Sequence, residues 1–251
     1  MSDRDALEAY ASELNVSPDV HQDDLIYRYL VGHPQLGAAA APGYYFSDGR
    51  KSALALRDIV EKDTYVDTSK RWTLLEFASG YGCVTRHFKE IVPEVDVVAC
   101  DIHEQAVKFI QSILATDAVI STADPDRLWL GREFDVVFAL SFFSHMPLGS
   151  WSRWLKALFR HVRPGGALIF TTHGYVTREK QYQNTVDLGD EGFWFVPASE
   201  QTDISAAEYG TTITSTEYVT RQIFSQLLAP ISLMAPGFWW GHQDVYVVTK
   251  V

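Results

Sequence analysis

The chain of 251 residues contains little cysteine and no long apolar run. Its two cysteines, Cys83 and Cys100, are too few for a disulfide framework or a cysteine-based zinc site. We therefore expect two reduced, buried thiols in a cytoplasmic protein. No stretch approaches the ~18 apolar residues of a membrane span, and the first residues lack a basic region followed by an apolar one. These absences disfavour both membrane insertion and secretion.

Positive charge is also scarce. The chain carries 21 basic against 32 acidic residues, a formal net charge of -11, and its sequence contains no Lys/Arg-rich stripe. Such a surface lacks the cations that drive most non-specific binding to nucleic acids. We therefore expect a small-molecule partner rather than DNA or RNA. With 47% hydrophobic and 21% charged residues, the chain should fold around its own core, as a monomer or a homodimer.

The first zone, residues 1–68, is predicted to be a helical N-terminal cap. Ranges 5–14 and 19–31 carry apolar residues at i, i+3 and i+4 spacings, which is typical of amphipathic helices. The aromatic stretch 43–49 begins and ends with glycine, which predicts a turn leading into a helix over 51–62.

The second zone alternates strand-like and helix-like runs. Strands are predicted at 72–77, 95–100, 118–121, 135–140 and 166–172, with helices at 84–92, 103–114 and 150–162 and a short turn near 126–130. Strands separated by helices imply right-handed crossovers and a parallel sheet with helices on both faces. This zone is predicted to be a doubly wound α/β domain.

The last zone begins with an irregular stretch, 175–215, which is predicted to be a substrate-side insert. A helix over 217–228 and two strand-like runs, 231–234 and 245–249, follow. The connection between the two runs is too short for a helical crossover, so they should form an antiparallel hairpin. We therefore predict a seven-stranded, mostly parallel sheet with an antiparallel terminal strand, in a domain over 69–251.

A glycine turn follows the first predicted strand of the sheet. Gly80 and Gly82 let the backbone turn sharply and approach a ligand, and the next helix points its N-terminal amides at that place. The turn alone is weak evidence, because Thr85 stands where the dinucleotide fingerprint has a third glycine. Asp101 strengthens the evidence for a nucleotide-like ligand. This residue ends the second strand, where a carboxylate can accept both hydroxyls of a ribose.

Two further carboxylates favour a cationic cofactor over a nicotinamide dinucleotide. Glu76, at the end of the first strand, would repel a pyrophosphate but suits a ligand with an ammonium and a sulfonium. Asp124, after the third strand, can accept a hydrogen bond from an adenine amino group. Asp101 and Asp124 also fit the alternative role of helix N-caps. Glu76 has no such alternative, because glutamate is a poor strand residue.

With these motifs the chain resembles the class I, Rossmann-like S-adenosylmethionine-dependent methyltransferase family over about residues 43–250. The motifs are Glu76-Phe77-Ala78-Ser79-Gly80-Tyr81-Gly82, Asp101-Ile102, Ala123-Asp124, the strand from Phe134 to Leu140, and Arg163-Pro164-Gly165-Gly166. Ala78 and Ser79 depart from the commoner glycine and cysteine or threonine of that loop.

The resemblance implies S-adenosyl-L-methionine as cofactor and methyl transfer of the EC 2.1.1 class. The resemblance also implies that Glu76, Gly80 and Gly82 hold the methionine end of the cofactor. It further implies that Asp101 binds the ribose and that Asp124 binds the adenine. The other residues expected to bind the cofactor are Ala78, Tyr81, Ile102, Ala123 and Leu140.

Three histidines are expected on the acceptor side. Ligands of doubly wound sheets bind outside the carboxyl ends of the strands, where His145 and His173 follow the fourth and fifth strands and His242 precedes the antiparallel last one. A hydroxyl acceptor needs a general base, and His145 or His173 could serve. Alternatively, these residues are hydrogen-bonded structural histidines. They have no tight ligand spacing, so no metal is predicted.

Aromatic residues are dense outside the predicted sheet. They could wall a pocket for a sugar face or an aromatic ring, or they could pack the cap onto the domain. We predict that Tyr45, His145, Trp239 and His242 contact the substrate.

The predicted reaction is biosynthetic methylation of a small molecule, with a hydroxyl of a secondary metabolite or sugar as acceptor. Three alternatives stay open: N-methylation of a small amine, a non-catalytic module that binds the cofactor, and a nicotinamide-dependent oxidoreductase.

Overall fold

A computed structural model describes residues 3–34, 36–199, 201 and 204–251. Residues 1, 2 and 35 of the predicted cap therefore lie outside the described residues, as do 200, 202 and 203 of the predicted insert.

Eight helices and nine strands are assigned within the described ranges. The helices are α1 (Asp3–Leu14), α2 (Leu25–Gly32), α3 (Ala41–Asp63), α4 (Thr85–Ile91), α5 (Glu104–Ile113), α6 (Leu148–Arg160), α7 (Tyr175–Tyr182) and α8 (Thr216–Leu227). The strands are β1 (Trp72–Phe77), β2 (Val95–Asp101), β3 (Asp117–Ile120), β4 (Phe134–Ala139), β5 (Val162–His173), β6 (Phe193–Val196), β7 (Thr211–Thr214), β8 (Ile231–Trp239) and β9 (Gln243–Thr249).

The main sheet has seven strands in the order β3-β2-β1-β4-β5-β9-β8. The β1–β2, β2–β3 and β4–β5 pairs are parallel, while β9 runs antiparallel to both β5 and β8. This arrangement confirms the predicted seven-stranded, mostly parallel sheet and its antiparallel terminal strand. Strands β6 and β7 form a separate two-stranded antiparallel sheet.

The chain divides into two compact units. The first comprises residues 1–59 and 68–121, and the second comprises 60–67 and 122–251. The first unit holds the N-terminal helices with β1, β2 and β3, and the second holds the remaining strands with α6, α7 and α8. The predicted boundary between residues 68 and 69 stays a prediction.

The predicted turn at 43–49 is wrong, because these residues belong to the long helix α3. Its glycines serve close packing rather than a turn. A β-carbon on Gly43 would lie 2.9 Å from the Tyr10 ring, and one on Gly49 would collide with the Cys83 carbonyl oxygen. Glycine is therefore needed inside this helix because neighbouring chain segments press against its backbone.

The predicted helix over 19–31 is also wrong in its first part. Helix α2 begins at Leu25, and Asp24 is its N-cap, because the Asp24 side chain accepts a hydrogen bond from the Tyr27 amide at 3.1 Å. Residues 15–24 form no helix and connect α1 to α2. Apolar spacing predicted a helix there, but Asp24 is only 2% exposed and its capping role fixes a later start.

Strand β8, the last strand of the order, is irregular. Its pairing with β9 shifts register between Ala235 and Trp239. Within this bulge the Gly237 amide donates to Oδ1 of Asp244, 2.8 Å away. Asp244 is 1% exposed, and burial raises its pKa to about 6.

An aromatic core supports the ends of β4, β5 and β9. The Phe143 ring centroid lies 4.8 Å from those of both Trp151 and Phe170, and Phe170 stacks on Tyr246 at 5.4 Å. All four side chains are 1% exposed or less. This packing fixes the segments that follow β4 and β5, where the acceptor-side residues were predicted.

Candidate functional site

The glycine turn of the first unit follows β1. Gly80 and Gly82 have φ values of 54° and 78°, in the left-handed region that favours glycine. A β-carbon on Gly82 would collide with Leu114, whereas one on Gly80 would meet no described atom within 4 Å. Ala78 has a φ of 57° although it carries a β-carbon, so its backbone is strained. The turn is therefore tightly packed at Gly82 and open at Gly80.

Asp101, at the end of β2, holds this turn in place. The Gly80 amide donates to Oδ2 of Asp101 at 2.8 Å, and the His103 amide donates to Oδ1 at 2.9 Å. The Nδ1 atom of His103 also lies 2.8 Å from Oδ1. The carboxylate is 6% exposed. Because each carboxylate oxygen has more than one lone pair, Asp101 can hold the turn and still accept hydroxyl hydrogen bonds from a ribose.

Glu76 is buried beside the same turn and is 4% exposed. The Thr85 hydroxyl donates to its Oε2 atom at 2.5 Å. Burial raises the pKa of Glu76 to about 8, against the lowering effect of the Thr85 hydrogen bond, and the charge of Asp101 raises it further. A positively charged ligand would favour the ionised form of this carboxyl group. The carboxyl groups of Glu76 and Asp101, with the open space at Gly80, therefore fit S-adenosylmethionine, which has an ammonium, a sulfonium and ribose hydroxyls.

Two other predicted cofactor residues of the first unit lie near these groups in sequence. Tyr81 stacks on His21, with ring centroids 4.6 Å apart and planes 11° apart, and its ring edge meets Phe109. Ile102 is 37% exposed. Ala78 and Tyr81 lie in the turn itself, on either side of Ser79 and Gly80.

The remaining predicted cofactor residues, Ala123, Asp124 and Leu140, belong to the second unit. Asp124 is the N-cap of a short 3-10 turn, because its Oδ1 atom accepts from the Asp126 amide at 3.2 Å. Arg153 donates to the same oxygen at 2.7 Å. The structure thus shows the capping role for Asp124, while its adenine role stays a prediction.

His145 of the second unit is held by backbone and ring contacts. Its Nδ1 atom lies 2.7 Å from the Gly210 carbonyl oxygen, and its ring stacks on Tyr209 with centroids 4.4 Å apart and planes 8° apart. Thr212 binds the flanking backbone, donating from its amide to Ser144 O and from its hydroxyl to Met146 O. Because a carbonyl only accepts, Nδ1 carries the proton in the neutral ring and Nε2 carries the lone pair.

His173 ends β5 and belongs to a buried polar network. The Ser141 amide donates to Thr171 Oγ1 at 2.8 Å, and the Thr171 hydroxyl donates to Gln243 Oε1 at 2.6 Å. The Gln243 amide nitrogen then donates to Ser141 Oγ at 2.9 Å and lies 3.3 Å from His173 Nε2. Since an amide nitrogen only donates, Nε2 of His173 is the acceptor in this contact. Burial lowers the pKa of His173 to about 3.

The three predicted histidines lie in a row. The ring centroids of His145 and His173 are 6.3 Å apart, and those of His173 and His242 are 5.9 Å apart. His242 also stacks on Trp240, which is 45% exposed. Of the described His, Cys, Asp and Glu residues, no three group in a way that could hold a metal ion.

Two aromatic residues predicted to contact substrate are packed in the interior instead. Tyr45 is fully buried in the first unit and donates its hydroxyl hydrogen to Asp24. Trp239 is 3% exposed and packs against Phe138, with centroids 5.4 Å apart. Both therefore act as core side chains, and the neighbouring Trp240 is the tryptophan that reaches the surface beside His242.

Sequence reasoning missed several residues that shape these sites. Gln243 carried a usable signal, because a glutamine at the start of an apolar strand predicts a buried polar contact. Arg86 carried none, since one arginine in a helix is most simply a surface residue. Its buried position emerges only from the structure, where it is 7% exposed.

No helix among the described residues is long and apolar enough to cross a membrane.

Comparison with known proteins adds a sequence match and a fold match. Residues 75–168 match a family model described as a methyltransferase domain. A malonyl-[acyl-carrier protein] O-methyltransferase of Bacillus cereus is 28% identical over 142 residues, which cover 56% of this chain and 51% of that protein. The chain thus spans about half the length of this curated relative.

Two solved structures illustrate the fold match. An S-adenosylmethionine-dependent methyltransferase from Clostridium acetobutylicum superposes with a TM-score of 0.55 at 14% identity, over 82% of this chain and 92% of that one. The glycopeptide N-methyltransferase MtfA, complexed with S-adenosyl-L-methionine, gives 0.57 at 16% identity, over 82% and 88%. Residues 75–168 thus match a methyltransferase domain, and the seven-stranded sheet has the fold of S-adenosylmethionine-dependent methyltransferases, which supports S-adenosylmethionine as the cofactor.

Proposed function

We propose that this protein transfers the methyl group of S-adenosylmethionine to a small-molecule acceptor, and that the acceptor atom is a hydroxyl oxygen of a secondary metabolite or sugar. The partial likeness to an O-methyltransferase supports oxygen as acceptor. N-methylation of a small amine is the second candidate, because a glycopeptide N-methyltransferase is among the similar structures.

Cofactor binding is assigned to the first unit. Glu76 and the amides of the glycine turn would hold the methionine end, and Asp101 would accept the ribose hydroxyls. The bound cofactor supplies an electrophilic methyl carbon on a sulfonium. The protein's own residues align the acceptor with that carbon and remove a proton from a hydroxyl acceptor.

The observation that carries the base assignment is the contact between His145 Nδ1 and the Gly210 carbonyl. This bond leaves Nε2 as the basic nitrogen, and the stacked Tyr209 ring fixes the plane of the imidazole. His173 suits the role less well, because burial lowers its pKa to about 3. We therefore assign the general base to His145 and a positioning role to His173.

Calorimetry with S-adenosylhomocysteine, the demethylated cofactor, tests the cofactor assignment. Asp101→Ala should weaken binding about 10- to 100-fold, because it removes the ribose acceptor and the support of the Gly80 amide. Asp96→Ala is the control, since Asp96 lies on the same strand and is paired at the surface with Arg71. Equal affinity of wild type and Asp101→Ala would refute the cofactor site.

Methyl transfer to a panel of hydroxyl and amine compounds tests the acceptor and the base. With the accepted compound, His145→Ala should lower kcat by about 10²- to 10⁴-fold, the usual contribution of a general base. His173→Ala should have a smaller effect. If both variants keep full turnover, catalysis is alignment alone, and methylation of amines only would favour the second candidate.

A further inference from the structure

Residues 15–24, which we call the strap, connect α1 to α2 and lie against the glycine turn. The His21 ring stacks on Tyr81 of the turn at 4.6 Å. The Asn15 side-chain amide donates to the carboxylate of Glu90 in α4. The strap therefore contacts both the turn and the helix that follows it.

A single arginine bonds to the strap and to the turn. Arg86 Nε donates to the Gly82 carbonyl at 3.0 Å, and its Nη1 atom donates to the Ser17 and Asp19 carbonyls at 3.0 and 2.9 Å. The side chain is 7% exposed. The planar fork of a guanidinium can join backbone oxygens of two chain segments in this way, whereas a lysine ammonium has no comparable geometry.

The charge of Arg86 is balanced through the end of the strap. Its Nη2 atom donates to the Tyr45 hydroxyl at 3.1 Å, and that hydroxyl donates to Asp24 Oδ2 at 2.6 Å. The Tyr45 and Phe46 rings lie 5.1 and 5.5 Å from the guanidinium carbon. Asp24 belongs to the strap and is 2% exposed; burial raises its pKa, while the Tyr45 hydrogen bond and the charge of Arg86 act in the opposite direction and favour the carboxylate.

Lifting the strap would separate Arg86 from two carbonyl oxygens and from the carboxylate that balances its charge. A buried cation that loses its acceptors is strongly disfavoured. The same side chain holds the Gly82 carbonyl, so the conformation of the glycine turn and the docking of the strap are energetically coupled.

We propose that Arg86 is a positioning residue that couples docking of the strap to cofactor binding at the glycine turn. Arg86 acts through Gly82 and the strap rather than by touching the cofactor. Because coupling between two sites is reciprocal, a ligand that stabilises the turn must also stabilise the docked strap. This inference rests on the cofactor part of the proposed function and is independent of the acceptor.

Hydrogen exchange with S-adenosylhomocysteine as probe tests the coupling in the wild-type chain. Saturating ligand should slow amide exchange in residues 15–24 by about tenfold. Arg86→Lys keeps the charge but loses the fork, so it should raise the Kd for S-adenosylhomocysteine about tenfold and reduce this protection. Arg57→Lys is the matched control, because Arg57 pairs with Asp58 on α3 and should leave Kd within about twofold.

The outcomes separate the proposal from a purely structural role and from the proposed function. A structural role would lower the Tm of Arg86→Lys yet leave its affinity and the protection by ligand unchanged, which would overturn the proposal. If Arg86→Lys does not fold, His21→Ala leaves Arg86 intact but removes the stack on Tyr81, the edge contact with Phe109 and the acceptor of the Asp23 amide, and it should still weaken binding about threefold. Normal ligand binding with unchanged strap exchange overturns the coupling alone, whereas absence of binding to the wild type overturns the cofactor site as well.

Discussion

Glu76 and Asp101 stand near the ends of neighbouring strands of the first unit, and the sequence predicted both positions. Their spacing from Gly80 and Gly82 was sufficient to place them beside one turn. The sequence could not predict that Glu76 would be 4% exposed, with a pKa raised to about 8 mainly by burial. Both the burial that raises this pKa and the Thr85 hydrogen bond that opposes it depend on tertiary packing, which periodicity does not specify.

Binding of S-adenosylmethionine should therefore release a proton from Glu76. The free carboxyl group has a pKa of about 8 and is mostly protonated near neutral pH. A cationic ligand favours the carboxylate, so it lowers this pKa and expels the proton. Calorimetry near neutral pH in phosphate and Tris buffers, which differ in ionisation enthalpy, should report about half to one proton released per cofactor.

Glu76→Gln provides the control for this release, because it has no proton to lose. S-adenosylhomocysteine, which lacks the sulfonium charge, should release less than S-adenosylmethionine. Identical binding enthalpies in the two buffers would contradict the prediction.

Among the elements, those with clear periodicity were predicted best. Strand β1 agrees at both ends, and the other strands of the main sheet were located, but β5 and β8 are both several residues longer than predicted. Helix α7 and strands β6 and β7 fell in the stretch predicted to be irregular. Helix α7 is mostly polar, and each of the two strands has only four residues, which is too short for a periodic pattern to identify it.

Helix α4 contains a histidine that should make folding sensitive to acid. His87 is 0% exposed, and neither ring nitrogen has a hydrogen-bond partner among the described residues. Burial, with the charges of Arg86 and Arg50, lowers its pKa from 6.5 to about 3. The unfolded chain therefore binds a proton that the folded chain does not, and stability is lost as the pH falls from 6.5 towards 3.

His87→Phe should remove this loss and raise the free energy of unfolding by about 1–2 kcal/mol near pH 5, as measured in urea. At pH values above 7 the gain should shrink to the part that comes from burying an apolar ring. His33→Gln, at the end of α2, is the control. A gain for His87→Phe that is the same at every pH would show that the titration of His87 does not contribute.

For the whole molecule, the order of elements along the chain was enough to predict the sheet. Alternating strands and helices gave the parallel part, and the short connection between the last two strands gave the hairpin. Apolar spacing could not predict the strap, because its docking depends on contacts between the strap, which includes Asp24, and Arg86, which is distant from it in sequence. The histidine row was predictable from topology, whereas the network through Gln243 was not.

The net charge of -11 predicts a salt-dependent association rate for the cofactor. S-adenosylmethionine carries one more positive charge than S-adenosylhomocysteine, so the field of the protein should attract it more strongly. Stopped-flow measurements should show its association rate falling about two- to threefold as salt rises to about 0.3 M, where the Debye length shortens. The rate for S-adenosylhomocysteine should change little, and equal salt dependence of the two would contradict the prediction.

The bulge in β8 lies on the end strand of the main sheet. An outermost strand with regular backbone groups is a template on which another chain can add and extend into a fibril. Here Pro236 has no amide hydrogen to offer, and the amide of Gly237 is taken by Asp244 within the fold. Pro236 thus interrupts the row of amides that this edge could offer to another chain, which disfavours edge-to-edge stacking.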